Sequence, residues 1–269
     1  MDSSNSTQSN DKQAQRVMHP LKFRLLQVKN ISQTSPLMKR ITLTGTDLGD
    51  FVSASPDDHV KVFFPKPGEE KPLIPKLGPN GPEIGDGENR PIMRDFTPVR
   101  FDNQARELEL EFFLHEEGDA TAWAKQAQVG QYLGVGGPRG SLVVPYAFDW
   151  YLLVGDESAL PSFTRRLAEL PANAKALVFV EISNADEKRE FQSKAAVDVH
   201  WIIRSREEAG SSELFKQTIL KTTFPHGDYF TWIATELQCS KDLKELLETV
   251  RGANPDWVKA TGYWKKDPT

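Results

Sequence analysis

A single cysteine, Cys239, in 269 residues excludes an internal disulfide and any iron–sulfur cluster held by four thiolates of one chain. It also fits a reducing compartment. No apolar run reaches the ~20 residues of a membrane-spanning helix, and the polar stretch from Met1 to Gln15 has no hydrophobic signal core. Basic excess is missing too. With 33 Lys and Arg against 38 Asp and Glu, the net charge is -5, so there is no global field for nucleic acid or anionic lipid. The five histidines never stand in H-x-x-H or H-E-x-x-H spacing, which leaves no metal-hydrolase signature, and no protein-held metal is expected. No G-x-S-x-G elbow precedes a helix. These absences leave a soluble, cytoplasmic, monomeric protein with a disordered tail over residues 1–19.

What is present has two characters. Hydrophobic content of 38% and charged content of 26% are those of an ordinary globular protein, and the length suits two domains. From Leu21 to Val144, short apolar runs alternate with Gly, Pro, Asn and Asp clusters, which predicts antiparallel strands. Leu108-Glu109-Leu110-Glu111-Phe112 alternates as a half-buried strand does. Pro65 to Pro91 is rich in Pro, Gly and charge and reads as a long surface loop, and Asp119 to Gln128 reads as one helix. After Pro145 strands and helices alternate. Trp150–Val154, Leu177–Ile182, Val199–Ile203 and Tyr229–Ala234 are expected strands, and Pro161–Leu170, Ser211–Thr222 and Lys241–Arg251 expected helices. That order predicts a parallel sheet with helical crossovers. The fold class expected is therefore an antiparallel β-barrel over residues 20–147, followed by a parallel α/β domain over 148–269.

Within the barrel, Arg94-Asp95-Phe96-Thr97-Pro98-Val99-Arg100 puts a cation, a flat ring and a hydroxyl within four positions. On an extended strand Arg94 and Phe96 share a face and Thr97 takes the other. Guanidinium, ring and hydroxyl are what a phosphate-tailed cofactor with a planar heterocycle requires. Taken singly, each element has an ordinary reading: Phe96 as core, His115 as a strand-end residue, Asp119 as a helix cap.

Their order is more specific. Arg94-x-Phe96-Thr97-Pro98, His115 to Trp123, Gly136-Gly137-Pro138-Arg139-Gly140-Ser141, Gly155-Asp156-Glu157-Ser158-Ala159-Leu160-Pro161 and Gly262-Tyr263-Trp264-Lys265-Lys266 follow one another. The chain resembles the siderophore-interacting proteins, FAD-dependent ferric-siderophore reductases of the ferredoxin–NADP reductase superfamily, from about Pro20 to Lys266. The resemblance implies that Arg94 holds FAD phosphates, Phe96 lies against the isoalloxazine and Thr97 bonds its reactive edge. The family usually has tyrosine at Phe96 and a second arginine where Val99 stands, which leaves Arg100 as its substitute. Gly118, Ala120 and Thr121 open a helix suited to a pyrophosphate, with His115 and Trp123 beside it.

The same resemblance implies that NADH or NADPH reduces the flavin, contacting Asp156, Glu157, Ser158 and Ala159 after the first parallel strand. Glu181 would favour an unphosphorylated ribose; Lys188, Arg189, Arg204 and Arg206 would favour a 2′-phosphate. No side chain is expected as acid or base, since flavin carries the chemistry. The substrate implied is an anionic ferric siderophore, met by Lys61, Arg139, Arg251, Lys265 and Lys266. Two alternatives stay open: a flavin reductase with another acceptor, and a non-catalytic protein that binds the ferric complex.

Overall fold

The computed structural model describes residues 10–115 and 118–266. Its first half contains β1 (Gln15–Met18), β2 (Phe23–Ser35), β3 (Met38–Thr44), β4 (Val60–Phe64), β5 (Lys76–Gly78), β6 (Gly81–Glu83), β7 (Ile92–Phe96), β8 (Pro98–Asp102) and β9 (Glu107–Phe113). Helix α1 (Asp119–Lys125), β10 (Tyr132–Gly136) and β11 (Gly140–Val143) complete it. Seven strands form one antiparallel sheet in the order β7-β4-β10-β2-β3-β9-β8. β7 and β8 lie at its two edges, yet only Thr97 separates them in the chain. A flat sheet cannot meet both conditions, so the sheet curls into a barrel whose open seam is at Thr97. Leu108, Leu110 and Phe112 of β9 point inward with the period of a strand and join Val60, Val62 and Phe64 in the barrel core. Trp123 of α1 plugs that core, its ring 5.7 Å from Phe64 and 5.9 Å from Phe112.

The second half contains β12 (Trp150–Gly155), α2 (Leu160–Glu169), β13 (Lys175–Ile182), β14 (Ala196–Ile203), α3 (Glu213–Lys221), β15 (Tyr229–Glu236), α4 (Leu237–Thr249) and β16 (Val258–Trp264). Its parallel sheet runs β14-β13-β12-β15-β16. Every residue of β12 is buried, as an unbroken apolar run requires when helices cover both faces. The order reverses at β12, so a crevice opens beyond Gly155 at the carboxyl rim.

Buried polar contacts fix the halves to one another. Arg165 of α2 donates to the Ser53 hydroxyl (2.7 Å) and carbonyl (3.0 Å) and to the Pro98 carbonyl (3.4 Å). Glu187 accepts from the Ser35 hydroxyl at 2.5 Å and the Leu37 amide at 3.0 Å. Arg189 pairs with buried Glu111 at 2.7 Å.

Four expectations change. Part of the supposed tail is ordered: Gln15–Met18 is a strand, because its backbone pairs with Gly140–Val143; residues 1–9 lie outside the described residues. The Pro65–Pro91 loop contains the β5–β6 hairpin. Helix α1 stops at Lys125, three residues short of the expected Gln128. A fifth parallel strand, β16, extends the sheet past Tyr229–Glu236. Among the described residues no helix is long and apolar enough to cross a membrane.

Candidate functional site

On β7, antiparallel register sets Arg94 opposite Val62 and Phe96 opposite Val60, so both share the core face of the sheet. Arg94 lies where that face runs out to solvent. Its Nη1 donates to the Met93 carbonyl at 2.8 Å and its Nη2 to Asp119 Oδ2 at 3.2 Å, which keeps an exposed guanidinium over the start of α1. Phe96 is half-buried, its ring 4.4 Å from that of Phe112. Gly118 enters α1 at φ 115, a conformation that favours glycine, and a Cβ there would stand 3.3 Å from His115 Cε1. The first helical bond is from Ala122 to the Gly118 carbonyl, so the amides of Asp119, Ala120 and Thr121 have no partner within α1. The Thr121 side chain itself is buried and reaches the Phe113 carbonyl at 3.4 Å. Beside the helix, a cleft of about 440 Å³ is bounded by Phe64, Ile92, Asp119, Trp123 and the Pro65–Glu70 loop. A guanidinium, open amides, a half-exposed ring and a cleft fit the expected FAD, with Arg94 and the α1 amides as phosphate donors.

Thr97, at the seam, is buried and faces the second half. Burial pushes the Tyr263 phenol up to about 12. Tyr263 and Trp264 stand in the sequence motif, but alternation alone gave no sign of which way either would point.

At the carboxyl rim the expected nucleotide residues are turned inward. Asp156 Oδ1 accepts from the Ser158 amide (2.9 Å) and hydroxyl (2.5 Å), and Oδ2 accepts from Trp264 Nε1 at 2.7 Å. Glu157 accepts from the Ser183 amide at 2.6 Å and pairs with Arg204 at 3.0 Å. Ala159 is fully buried, in contact with Gly155, where a Cβ would meet its own Cβ at 2.5 Å. Asp156, Glu157 and Ala159 therefore build the loop rather than present side chains to a nucleotide, and Ser158 alone of the four is half-exposed.

Glu181 is equally enclosed, with Arg204 Nε 3.1 Å from its Oε2 and no hydrogen-bond partner for Oε1 among the described residues. Burial pushes its carboxyl up to about 8, against the pull of Arg204 and with that of Asp156 and Glu157. A folded-state value raised above the unfolded one favours folding most at low pH, and that contribution is lost as pH rises through about 8. Glu181→Gln is expected to flatten the fall in melting temperature between pH 5 and pH 9; an unchanged slope would show that other groups set it.

The cations divide into two groups. Arg100, the expected substitute for the second phosphate arginine, is bound to Glu107 at 2.7 Å and Glu109 at 3.0 Å on the β8–β9 hairpin. Arg251 sits over Phe224 and donates to the Thr222 carbonyl, beside the start of β15, at the rim opposite Gly155. Lys61 faces away from Arg94 and pairs with Asp95 at 2.7 Å. Arg139 is exposed just past Gly136, which pairs with Lys61, so both lie at the Phe96 end of the barrel. Lys265 and Lys266 are exposed at the end of β16, on the carboxyl rim.

Both halves of the chain match known families. The Siderophore-interacting FAD-binding domain matches residues 27–142 and the Siderophore-interacting protein family residues 148–267. The chain is 35% identical over 258 residues to an NADPH-dependent ferric-chelate reductase of Escherichia coli, covering 93% of this chain and 96% of the relative. It is 28% identical over 246 residues to ferric vibriobactin reductase ViuB of Vibrio cholerae, covering 90% and 89%. A siderophore utilization protein from T. fusca superposes with a TM-score of 0.88 at 34% identity, covering 96% of this chain and 98% of that one. A ferredoxin reductase of carbazole 1,9a-dioxygenase shares the fold, with a TM-score of 0.63 at 14% identity over 91% of this chain and 70% of that one.

Proposed function

This chain belongs to the siderophore-interacting protein family, and from that premise we propose how its residues divide the work. It is an NAD(P)H-dependent flavoprotein reductase that reduces ferric siderophores with FAD. One observation carries the division of labour: the strand end bearing Phe96 and Thr97 abuts α2, the helix that leaves the carboxyl rim of the parallel sheet, where Arg165 donates to the Pro98 carbonyl at 3.4 Å and to the Ser53 hydroxyl at 2.7 Å. A flavin edge and a nicotinamide meet only where such surfaces adjoin.

In our reading, residues 20–147 hold FAD and 148–269 hold the nucleotide. Arg94 and the α1 amides bind phosphate, Phe96 forms a platform for the ring, and Thr97 bonds its edge. Bound there, flavin supplies the conversion of a two-electron hydride into single electrons for iron(III). Hard oxygen donors grip iron(II) less well than iron(III), so reduction frees the metal. Lys265, Lys266, Arg139 and Lys61 give the mouth local positive charge that draws in an anionic complex. Because Arg204 covers Glu181, that acid is closed to a ribose hydroxyl, which favours NADPH over NADH. The single cysteine is buried, its thiol pushed up to about 12 by burial, which accords with a monomer in the reducing cytoplasm.

The test is anaerobic turnover of the FAD-loaded protein with each nucleotide and a panel of ferric catecholates and hydroxamates, read as iron(II) formed. Nucleotide- and FAD-dependent iron(II) release is expected. Flavin reduction without reoxidation by any ferric complex would leave the reductase with another acceptor; no flavin uptake would leave a binding protein. In the same assay, reversing Lys265 and Lys266 to Glu is expected to raise KM for anionic complexes roughly tenfold. Flavin reduction by the nucleotide should not change. An unchanged KM would return both lysines to the solvated surface.

A further inference from the structure

Strand β16 ends on the carboxyl rim at Trp264, whose indole joins loops far apart in the chain. Register to β15 runs Thr235 to Gly262 and then Glu236 to Trp264, leaving Tyr263 as one extra, bulged residue. A bulge re-aims a side chain, and Trp264 turns to the loop after β12, where Nε1 donates to Asp156 Oδ2 at 2.7 Å. In the loop before α3, Gly210 packs on the far side of the ring: a Cβ there would stand 2.9 Å from Trp264 Cη2 and 3.0 Å from Glu236 Cβ. Gly210 makes that approach at φ 70, a conformation that favours glycine. Glu236 closes the set of contacts. Its Oε2 accepts from the amides of Gln238 (2.6 Å) and Cys239 (3.0 Å) at the start of α4, and its Oε1 accepts from the Lys266 amide at 3.3 Å.

Asp156 makes this a functional joint. The residue is 4% exposed. Its Oδ1 is taken up by the Ser158 amide (2.9 Å) and hydroxyl (2.5 Å), and its carbonyl by the Ala159 amide at 2.9 Å. Without the indole N–H, Oδ2 is left short of a donor in a site closed to water, and a buried acceptor in that state is costly. The loop regains a partner only by moving, and Ser158, its half-exposed member, moves with it. Beyond the indole the chain runs straight into Lys265 and Lys266, exposed on the same rim. The ring and the Lys266 amide therefore root that basic pair beside the nucleotide loop.

We propose that Trp264 is a positioning residue shared by two sites, holding the 156–159 loop in its nucleotide-binding form and fixing the base from which Lys265 and Lys266 meet the ferric complex. This rests on the reading that the nucleotide binds this rim and that the two lysines face the substrate. Trp264 touches neither ligand in this role; it acts through Asp156 and through the chain that follows it.

Two variants of the FAD-loaded protein separate the two arms. Trp264→Phe keeps a ring and loses the N–H, whereas Trp264→Leu loses both. Anaerobic flavin reduction over a range of NADPH concentrations gives nucleotide affinity apart from limiting rate, and reoxidation of pre-reduced protein gives half-saturation by an anionic ferric chelate. Trp264→Phe is expected to weaken NADPH roughly tenfold, with limiting rate and ferric half-saturation unchanged. Trp264→Leu should add a rise of roughly threefold in ferric half-saturation. Asp156→Asn supplies a cycle that does not depend on the leucine variant folding. Alone, its amide sets a donor against a donor and weakens NADPH; combined with Trp264→Phe, no buried charge lacks a partner and most of the lost affinity returns. Parental NADPH affinity in Trp264→Phe, additive losses in the cycle, or equal weakening of both ligands with a slowed limiting rate in Trp264→Phe would overturn the proposal. So would parental ferric half-saturation in Trp264→Leu. Hydrogen exchange of the parent keeps the premises apart from it. If NADP+ gives no protection over residues 155–160, the nucleotide placement fails first, and if reversing Lys265 and Lys266 leaves KM unchanged, the substrate placement does.

Discussion

Arg94→Ala is expected to emerge from purification colourless and to take up added FAD at least 10- to 100-fold more weakly than the parent. The reasoning starts from the strand. Register with Val62 sets Arg94 on the core face of β7, but at a point where 55% of its side chain is exposed, so its removal leaves no cavity. Its contacts to Asp119 and the Met93 carbonyl aim the guanidinium along the open end of α1 and contribute little to folding, as exposed pairs do. Folding should therefore survive while phosphate binding does not. A charge-assisted hydrogen bond contributes about 1.5–3 kcal/mol, and each 1.4 kcal/mol is about a factor of ten in affinity. Arg94→Lys should fall between, because an ammonium keeps the charge but not the planar fork. Flavin content measured against protein, and titration of apoprotein with FAD, check both variants. An alanine variant that retains full flavin occupancy would remove Arg94 from the phosphate site and move the search to the amides of α1.

Much of this architecture can be read from residue order, and the parts that cannot share physical causes. The alternation of Leu108 to Phe112 and the unbroken apolar run of Trp150 to Val154 each name a strand and its surroundings, since one is half-buried and the other covered on both faces. Strand β16 escapes that logic. Its residues are mostly half-buried at a sheet edge, so no period stands out. Tyr263 is harder still, because a bulge breaks the period of two on which any facing argument depends. Arg100 was legible in principle: Glu107 and Glu109 stand across a short turn, and hairpin pairing brings Arg100 opposite Glu109. Arg251 could also have been placed. A helix that follows a parallel strand returns to the strand's starting rim, so the end of α4 had to lie away from the nucleotide crevice. The inward turn of Asp156 and Glu157 had no local signal. It depends on Trp264 and Arg204, 108 and 47 residues away.

That last contact gives the largest stability effect expected in this chain. Arg204→Met should lower the melting temperature by about 10 °C near pH 8.5 and by much less near pH 5. The guanidinium stands 3.0 Å from Glu157 and 3.1 Å from Glu181, and the two carboxylates are 2% and 1% exposed. Truncating one partner of a buried pair leaves charge without compensation, at a cost of about 3–5 kcal/mol, and for a chain of this size each kcal/mol moves the melting temperature by about 2–4 °C. Protonation then sets the pH dependence. Burial already raises both Glu157 and Glu181 above the ordinary carboxylate value, and loss of the cation raises them further. Groups raised on folding contribute most below their unfolded values and lose that contribution as pH climbs, so the deficit grows from acid to base. Thermal melts of the FAD-loaded variant at the two pH values decide the matter, with KM for NADPH as the companion measurement. A normal melting temperature with a raised KM for NADPH but not NADH would reverse the assignment. Arg204 would then hold the 2′-phosphate, and the two acids would need another counter-ion. Equal deficits at both pH values would trace the cost to lost packing by a long side chain, not to the buried charges.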